Sequence, residues 1–219
     1  MRTSRPLRVA LLAGALGCDA VGAPAPMPPE VPDLVAENRA AGDPYGGRFP
    51  LSEAVAGLPE GSRLRAEITT DAGVIHCTLD LDAPLTVANF VGLARGLRPF
   101  REGDAWIKAP YYDGAVWHRT IEGQFVQGGQ RGQGGPGYRL QDEISPGAKF
   151  DRAGLLAMAN KGLADSAGAE FYITTAAMPD HTGHYTIFGA CDDEFVVRDL
   201  QRQVAGGARP KITSIRITR

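Results

Sequence analysis

The chain is expected to fold as a mainly β protein, a closed antiparallel barrel of short strands with two helices set between them. Three observations carry this expectation. Short runs that alternate apolar and polar residues recur along the chain, each bounded by Gly, Pro, Asn or Asp. Only two stretches, after Pro84 and after Asp193, repeat apolar residues at helical spacing. The 219 residues include 28 glycines and 16 prolines but only 7% aromatics, a composition that favours turns and short strands over long helices. Many short strands with few crossover helices point to an antiparallel barrel rather than a parallel sheet.

A chain of this length holds one sizeable core with extensions, or at most two small domains. The formal charge of -2, without a long basic run, gives no electrostatic footprint for nucleic acid. No apolar stretch of about 20 residues is present, so no spanning helix is expected. Residues 1–18 read as an export signal: Arg2, Arg5 and Arg8 precede the apolar run Val9–Leu16, and small residues lead to Cys18. The ending Ala15-Leu16-Gly17-Cys18 resembles the lipobox of bacterial lipoproteins, in which the cysteine is lipidated. It implies a protein on the periplasmic side of the bacterial envelope, joined to the membrane only through a lipid anchor at Cys18. The alternative is secretion to the periplasm without lipid. Residues 19–62 then form a Pro/Ala-rich tether and N-terminal extension, because Ala-Pro-Ala-Pro-Met-Pro-Pro at 23–29 can form neither a helix nor a central strand. Tyr45, Phe49, Leu51, Val55 and Leu58 give its later part apolar side chains to pack on the domain that follows, residues 63–219.

Within that domain, Arg63–Thr70 alternates, with Leu64, Ala66 and Ile68 on one face, and Asp71-Ala72-Gly73 turns the chain. Val74–Leu81 alternates again with Ile75, Cys77, Leu79 and Leu81 inward, completing a hairpin. Pro84 opens a helix at its favoured first position, Val87, Phe90, Val91 and Ala94 form its apolar face, and Gly96 ends it. Residues 97–110 read as a long loop. Val116–Gln130 reads as two strands with a tight connection. If Glu122-Gly123-Gln124 connect them, Arg119 lies opposite Gln127 with Phe125 on the same face; if only Glu122-Gly123 do, Arg119 faces Val126. Gly132–Gly137 has neither the lysine nor the helix start of a phosphate loop and reads as a surface loop. Leu155–Asn160, Phe171–Thr175, Thr186–Ala190 and Lys211–Thr218 read as strands. The second helix starts at Asp192-Asp193-Glu194, carries Val197, Leu200 and Val204 on one face, and ends near Gly206.

Four blocks together resemble the cyclophilin family of peptidyl-prolyl cis-trans isomerases: Pro84–Gly96, PLTVANFVGLARG; Tyr111–Gly129, YYDGAVWHRTIEGQFVQGG; Leu156–Gly162, LAMANKG; and Glu170–Gly189, EFYITTAAMPDHTGHYTIFG. The similarity runs from about Arg63 to Arg219. It implies a closed eight-stranded antiparallel barrel capped by two α-helices, and an enzyme that accelerates rotation about X-Pro bonds in folding or exported proteins. It also selects the three-residue connection of the hairpin. Arg119 matches the family's catalytic arginine, Gln127 the glutamine that orients it and helps bind substrate, and Asn160 the residue whose backbone pairs with the substrate chain. Phe125 and Tyr172 match side chains that hold the proline ring, with Met158 and Ala159 beside them. Gln124, Glu170 and Tyr185 complete the implied substrate groove, where relatives usually carry Phe, Gln and His. The resemblance implies no metal and no cofactor, proline-containing segments of client proteins as partners, and a monomer.

The remaining polar residues have plainer readings. Strand parity puts His118 on the face opposite Arg119, as a core histidine. His181-x-x-His184 lacks further ligands at metal spacing and reads as a solvated loop. Cys77 and Cys191 are either buried thiols or, in an oxidising envelope, a disulfide. A second functional reading is a cyclophilin-fold module of low or no activity that binds proline-containing peptides, because Gln124 and Glu170 make the groove less apolar.

Overall fold

The structure, a computed structural model, describes residues 24–219; residues 1–18, read as an export signal ending in Cys18, lie outside the described residues. The extension holds two helices that the sequence reading did not place. α1 spans Pro32–Ala40 and α2 spans Leu51–Ala54, each entered through a proline whose fixed φ suits a helix start. Leu34 and Val35 are buried on α1. Asn38 brackets Arg139, donating through Nδ2 to its carbonyl and accepting its N–H, both at 2.8 Å. Beyond α1, Asp43 is fully buried in a two-pronged ion pair with the equally buried Arg98, at 2.8 and 2.7 Å. The stretch read as a tether is therefore, from Pro32 onward, fixed to the domain by buried apolar and charged groups.

The domain begins with the expected hairpin, β1 Arg65–Thr70 and β2 Gly73–Leu79, followed by α3 at Pro84–Ala94. Every residue of α3 is buried. Its orphan N-terminal amides are met by the buried Glu143 carboxylate, which accepts from Leu85 N–H at 3.0 Å and Thr86 N–H at 2.7 Å. The segment read as a long loop contains a small separate hairpin, β3 Phe100–Glu102 with β4 Ala105–Ile107. Three-residue strands are too short to display an alternation, so their pattern is invisible in sequence. Then come β5 Arg119–Ile121, β6 Phe125–Gly128, β7 Leu155–Met158, β8 Phe171–Thr174, β9 Ile187–Cys191, α4 Glu194–Ala205 and β10 Ile212–Thr218.

Eight strands form one antiparallel sheet in the order β10-β1-β2-β9-β7-β8-β6-β5. The expected closed barrel is corrected: the sheet is an open half-barrel, because its edge strands β10 and β5 do not pair. They approach just ahead of both strands, through a single bridge between Val116 and Lys211 and the bonds Trp117 N–H to Pro210 O (2.9 Å) and Ile212 N–H to Ala115 O (2.7 Å). β5 begins only at Arg119, past that contact, and Pro210 has no N–H with which to extend a ladder.

The concave side is filled around Phe90 of α3, whose ring lies 5.2 to 5.5 Å from those of Tyr112, Phe171 and Phe188. Trp117 packs edge-on against Phe171 and lies flat under Gly128, where a Cβ would stand 2.6 Å from the indole. That close approach explains the glycine after Gln127. Cys77 and Cys191 are register partners on β2 and β9 and are joined as a disulfide, with Cα atoms 3.9 Å apart. α4 lies along the hairpin of β5 and β6. Its buried Gln201 donates through Nε2 to the carbonyls of Ile121 (3.0 Å) and Phe125 (3.2 Å), tying both strands of the hairpin to the helix.

Candidate functional site

The convex face of the sheet carries a second apolar cluster, of Phe125, Phe150, Leu155, Ala157, Tyr172 and Met178. Period-two alternation separates it from the core: on β6 Phe125 faces out and Val126 in, on β8 Tyr172 out and Ile173 in. The three-residue connection Glu122-Gly123-Gln124 sets the register, so Arg119 pairs with Gln127. Gln127 is in turn the partner of Tyr172, and Tyr172 of Ala157. One row across four strands thus reads Arg119, Gln127, Tyr172, Ala157. It places a guanidinium, an amide and an apolar floor side by side.

Arg119 is exposed, its guanidinium carbon 5.0 Å from the centre of the Phe125 ring. Its Nη1 donates to Gln127 Oε1 at 3.1 Å; among the described residues Nε and Nη2 have no partner. Gln127 is 8% exposed and donates through Nε2 to Glu170 Oε2 at 2.7 Å. His118 Nε2 stands 3.2 Å from the same carboxylate oxygen. The reading of His118 as a core residue facing away from Arg119 is corrected. His118 precedes β5 rather than belonging to it, so strand parity does not apply, and its ring joins the polar end of the site. Burial pushes the Glu170 carboxyl upward, but the hydrogen bonds and charge of His118, the Gln127 bond and the Lys161 ammonium outweigh it. The group ends below the usual carboxylate range.

At the other end of the row, Tyr172 is buried and stands edge-on to Tyr185, ring centres 5.7 Å apart. Its hydroxyl meets His181 Nδ1 at 3.0 Å, and the His181 ring stacks on Tyr185 at 4.5 Å. Burial, with the neighbouring Tyr185, drives the Tyr172 phenol far above its ordinary range. Burial also lowers His181, with His184 and Arg119 pressing in the same direction against Asp180, which favours the neutral imidazole. The sequence reading missed His181 as a site residue, having taken Pro179–His184 for a solvated loop. The available signal was its place four residues before Tyr185, on a single 3₁₀ turn at Pro179–His181 that folds it back onto the pocket.

Three other expected site residues fall differently. Met158 lies in the concave core, paired with Phe171, so its role beside the proline ring is corrected. Strand parity gives that place to Ala157, one residue earlier. Gln124 is exposed in the turn, held through its backbone by Ile121 O and Thr175 N–H. Ala159 packs against the outer cluster, and its N–H is bound by Glu170 O at 2.9 Å. Asn160 donates through Nδ2 to His184 O at 3.2 Å, and among the described residues its own N–H and C=O are unpaired and open to an extended chain. Beyond Gln127 and Glu170 the groove deepens into a hollow of about 230 Å³ bounded by Lys161, Pro136 and Ser166. Among the described residues no group of three His, Cys, Asp or Glu is arranged to hold a metal ion.

Residues 65–219 match the family model described as cyclophilin type peptidyl-prolyl cis-trans isomerase. Peptidyl-prolyl cis-trans isomerase A of Mycobacterium tuberculosis is 47% identical over 134 residues, which cover 58% of this chain and 73% of that relative. Peptidyl-prolyl cis-trans isomerase B of Streptomyces anulatus is 41% identical over 138 residues, covering 60% and 78%. A crystal structure of a cyclophilin type peptidyl-prolyl cis-trans isomerase of Cryptosporidium parvum superposes with a TM-score of 0.60 at 28% identity, over 72% of this chain and 98% of the other. The same parasite enzyme in the presence of the dipeptide Ala-Pro gives a TM-score of 0.59 at 27% identity, over 71% and 99%.

Proposed function

The chain belongs to the cyclophilin-type peptidyl-prolyl cis-trans isomerases, and from that premise we propose that Arg119 is the group with which it accelerates rotation about X-Pro bonds. The barrier is about 18–20 kcal/mol because amide resonance stiffens the C–N bond. At the twisted transition state the proline nitrogen becomes pyramidal and regains its lone pair. A guanidinium N–H donated to that lone pair stabilises the twisted state more than either planar isomer, and only such differential binding lowers the barrier. The observation that carries this reading is the row Arg119, Gln127, Tyr172, Ala157, which sets unpaired guanidinium N–H groups at the rim of an apolar pocket. The proline ring lies against Phe125 and Tyr172. Gln127 fixes the arginine, and the Asn160 backbone pairs with the client chain; the parasite relative's structure in the presence of the dipeptide Ala-Pro supports binding of proline peptides.

The test is a proline-peptide isomerisation assay. Arg119→Ala is expected to lower kcat/KM by about 10²- to 10³-fold, the usual cost of one preorganised transition-state donor. Equal rates for wild type and variant refute the assignment. A second reading, peptide binding without meaningful turnover, is favoured by one observation: the pocket wall carries the polar His181–Tyr172 pair, and Gln124 stands exposed where an apolar side chain would close the pocket. It predicts that wild type binds a proline peptide and is no faster than Arg119→Ala.

Location is part of the same reading. The protein acts on folding or exported proteins at the periplasmic side of a bacterial envelope, as a monomer held by lipid at Cys18. Support comes from the layout of residues 1–18 and from the Cys77–Cys191 disulfide, which suits an oxidising compartment. Mass spectrometry of the mature N-terminus distinguishes a lipidated Cys18 from simple cleavage.

A further inference from the structure

Gln127 is a symmetric problem. A side-chain amide presents an acceptor at one end and a donor at the other, and the two ends exchange by rotation of half a turn. Only one orientation serves Arg119, since a guanidinium donates and never accepts. With Oε1 toward Arg119 the pair is bonded at 3.1 Å; with the amide reversed, two donors would confront each other. Something must bias the amide, and the group at its other end does. Glu170 is ionised, and a carboxylate accepts and never donates, so the 2.7 Å bond from Gln127 Nε2 exists in only one orientation. A neutral amide in place of Glu170 would offer either an acceptor or a donor and would tolerate both. The carboxylate is itself held. His118, 11% exposed at its side chain, directs Nε2 to the same oxygen at 3.2 Å, and Lys161 adds positive charge from the rim of the hollow. His118 Nε2 also stands 3.5 Å from Gln127 Nε2, so the imidazole touches both members of the pair.

We propose that Glu170 is a positioning residue for the reaction: with His118 behind it, it clamps the Gln127 amide in the single orientation that presents Oε1 to Arg119. Arg119 is thereby held by one Nη, with its remaining N–H groups free to meet the proline nitrogen. The clamp operates before substrate arrives, so no reorganisation is needed at the moment of rotation. His118, Gln127 and Lys161 outweigh burial and lower the proton affinity of Glu170, which favours the ionised, acceptor-only form of the clamp. The inference rests on the reading of Arg119 as the catalytic group.

The test compares wild type, Glu170→Gln, Gln127→Ala, the double variant and Arg119→Ala, measuring kcat/KM and the Kd of an uncharged proline peptide. Glu170→Gln is nearly isosteric and retains an acceptor for His118, so the fold is kept. It is expected to lower kcat/KM about five- to tenfold while shifting Kd less than about twofold, the scale of one ordinary net hydrogen bond. In the Gln127→Ala background the same substitution is expected to change nothing further, since Glu170 acts through Gln127. Three results overturn the clamp: wild-type rates in Glu170→Gln, a loss expressed wholly in Kd, or an equal loss with and without Gln127. The last two would make Glu170 a direct client contact or a structural residue. Equal rates for wild type and Arg119→Ala would instead remove the Arg119 reading, and the clamp with it.

Discussion

Asp43→Ala isolates what the extension contributes to the fold. In the native protein the Asp43 carboxylate accepts both prongs of Arg98, at 2.8 and 2.7 Å, and also the N–H groups of Tyr45 (3.2 Å) and Gly47 (2.6 Å). Neither charged side chain is exposed at all. Removing the carboxylate strands a guanidinium that water does not reach and whose Nε is already unpaired among the described residues. Breaking a buried pair from one side costs about 3–5 kcal/mol, because the surviving charge is left uncompensated. The Tyr138 ring, 3.9 Å from the guanidinium carbon, retains part of the cation's stabilisation and favours the lower half of that range. At 2–4 °C per kcal/mol for a chain of this size, Tm should fall by roughly 6–16 °C. The assay is urea and thermal unfolding followed by near-ultraviolet circular dichroism. The double variant Asp43→Leu, Arg98→Met should recover most of the loss, since an apolar pair of similar volume leaves no stranded charge. A loss below about 1 kcal/mol, the scale of a surface pair, would mean the extension is not docked as described. So would a double variant as unstable as the single.

Further outcomes follow from other residues. Reducing Cys77–Cys191, which closes a loop with a sequence separation of 114, should lower unfolding free energy by about 2–5 kcal/mol, read from urea melts with and without reductant. Gly128→Ala sets a methyl 2.6 Å from Trp117 and should destabilise by about 1–3 kcal/mol, with a changed tryptophan emission spectrum as the local sign. Two carboxyls should titrate on opposite sides of the ordinary glutamate value in a carbon-detected NMR experiment. Glu143, raised by burial against the bonds it accepts from Leu85 and Thr86, should have its midpoint above that value. Glu170, burial being outweighed by His118, Gln127 and Lys161, should have its midpoint below. The signs for stability then differ. Glu170 contributes stability above its unfolded value that is lost as pH falls through its folded one, whereas Glu143 favours the folded state most in acid and less as pH rises through its folded value.

The site was readable where chemistry and register coincide. Arg119 and Gln127 meet because a three-residue connection and period-two alternation leave no other arrangement, and the MAN and FYIT blocks supply neighbouring strands. The failures have specific physical origins. His118 was assigned by parity, but parity belongs to regular strand and β5 starts one residue later. Met158 was placed beside the pocket with Ala159, although Leu155 and Ala157 face outward and so Leu156 and Met158 must face in. His181 depends on a 3₁₀ turn that returns the chain to Tyr172, a tertiary event without local periodicity. α1 follows a proline-rich run whose composition masks it. Closure of the barrel depends on how the two edge strands meet, and that is set by Pro210 and the short β5 rather than by any pattern along either strand.

In the lipid-anchored form proposed above, the docked extension would also fix how far the domain can stray from a membrane. A tether running from 19 to 62 would let a lipid-anchored domain roam through about 150 Å of extended chain. With Pro32 onward built into the domain, the span from 19 to 31 reaches about 45 Å at most. Arg48 Nη2 on Pro28 O at 2.7 Å and Ala25 N–H on Leu81 O at 3.2 Å shorten it again. In the anchored form proposed above, the groove would patrol a thin layer over the bilayer, meeting chains as they emerge from it rather than those already adrift.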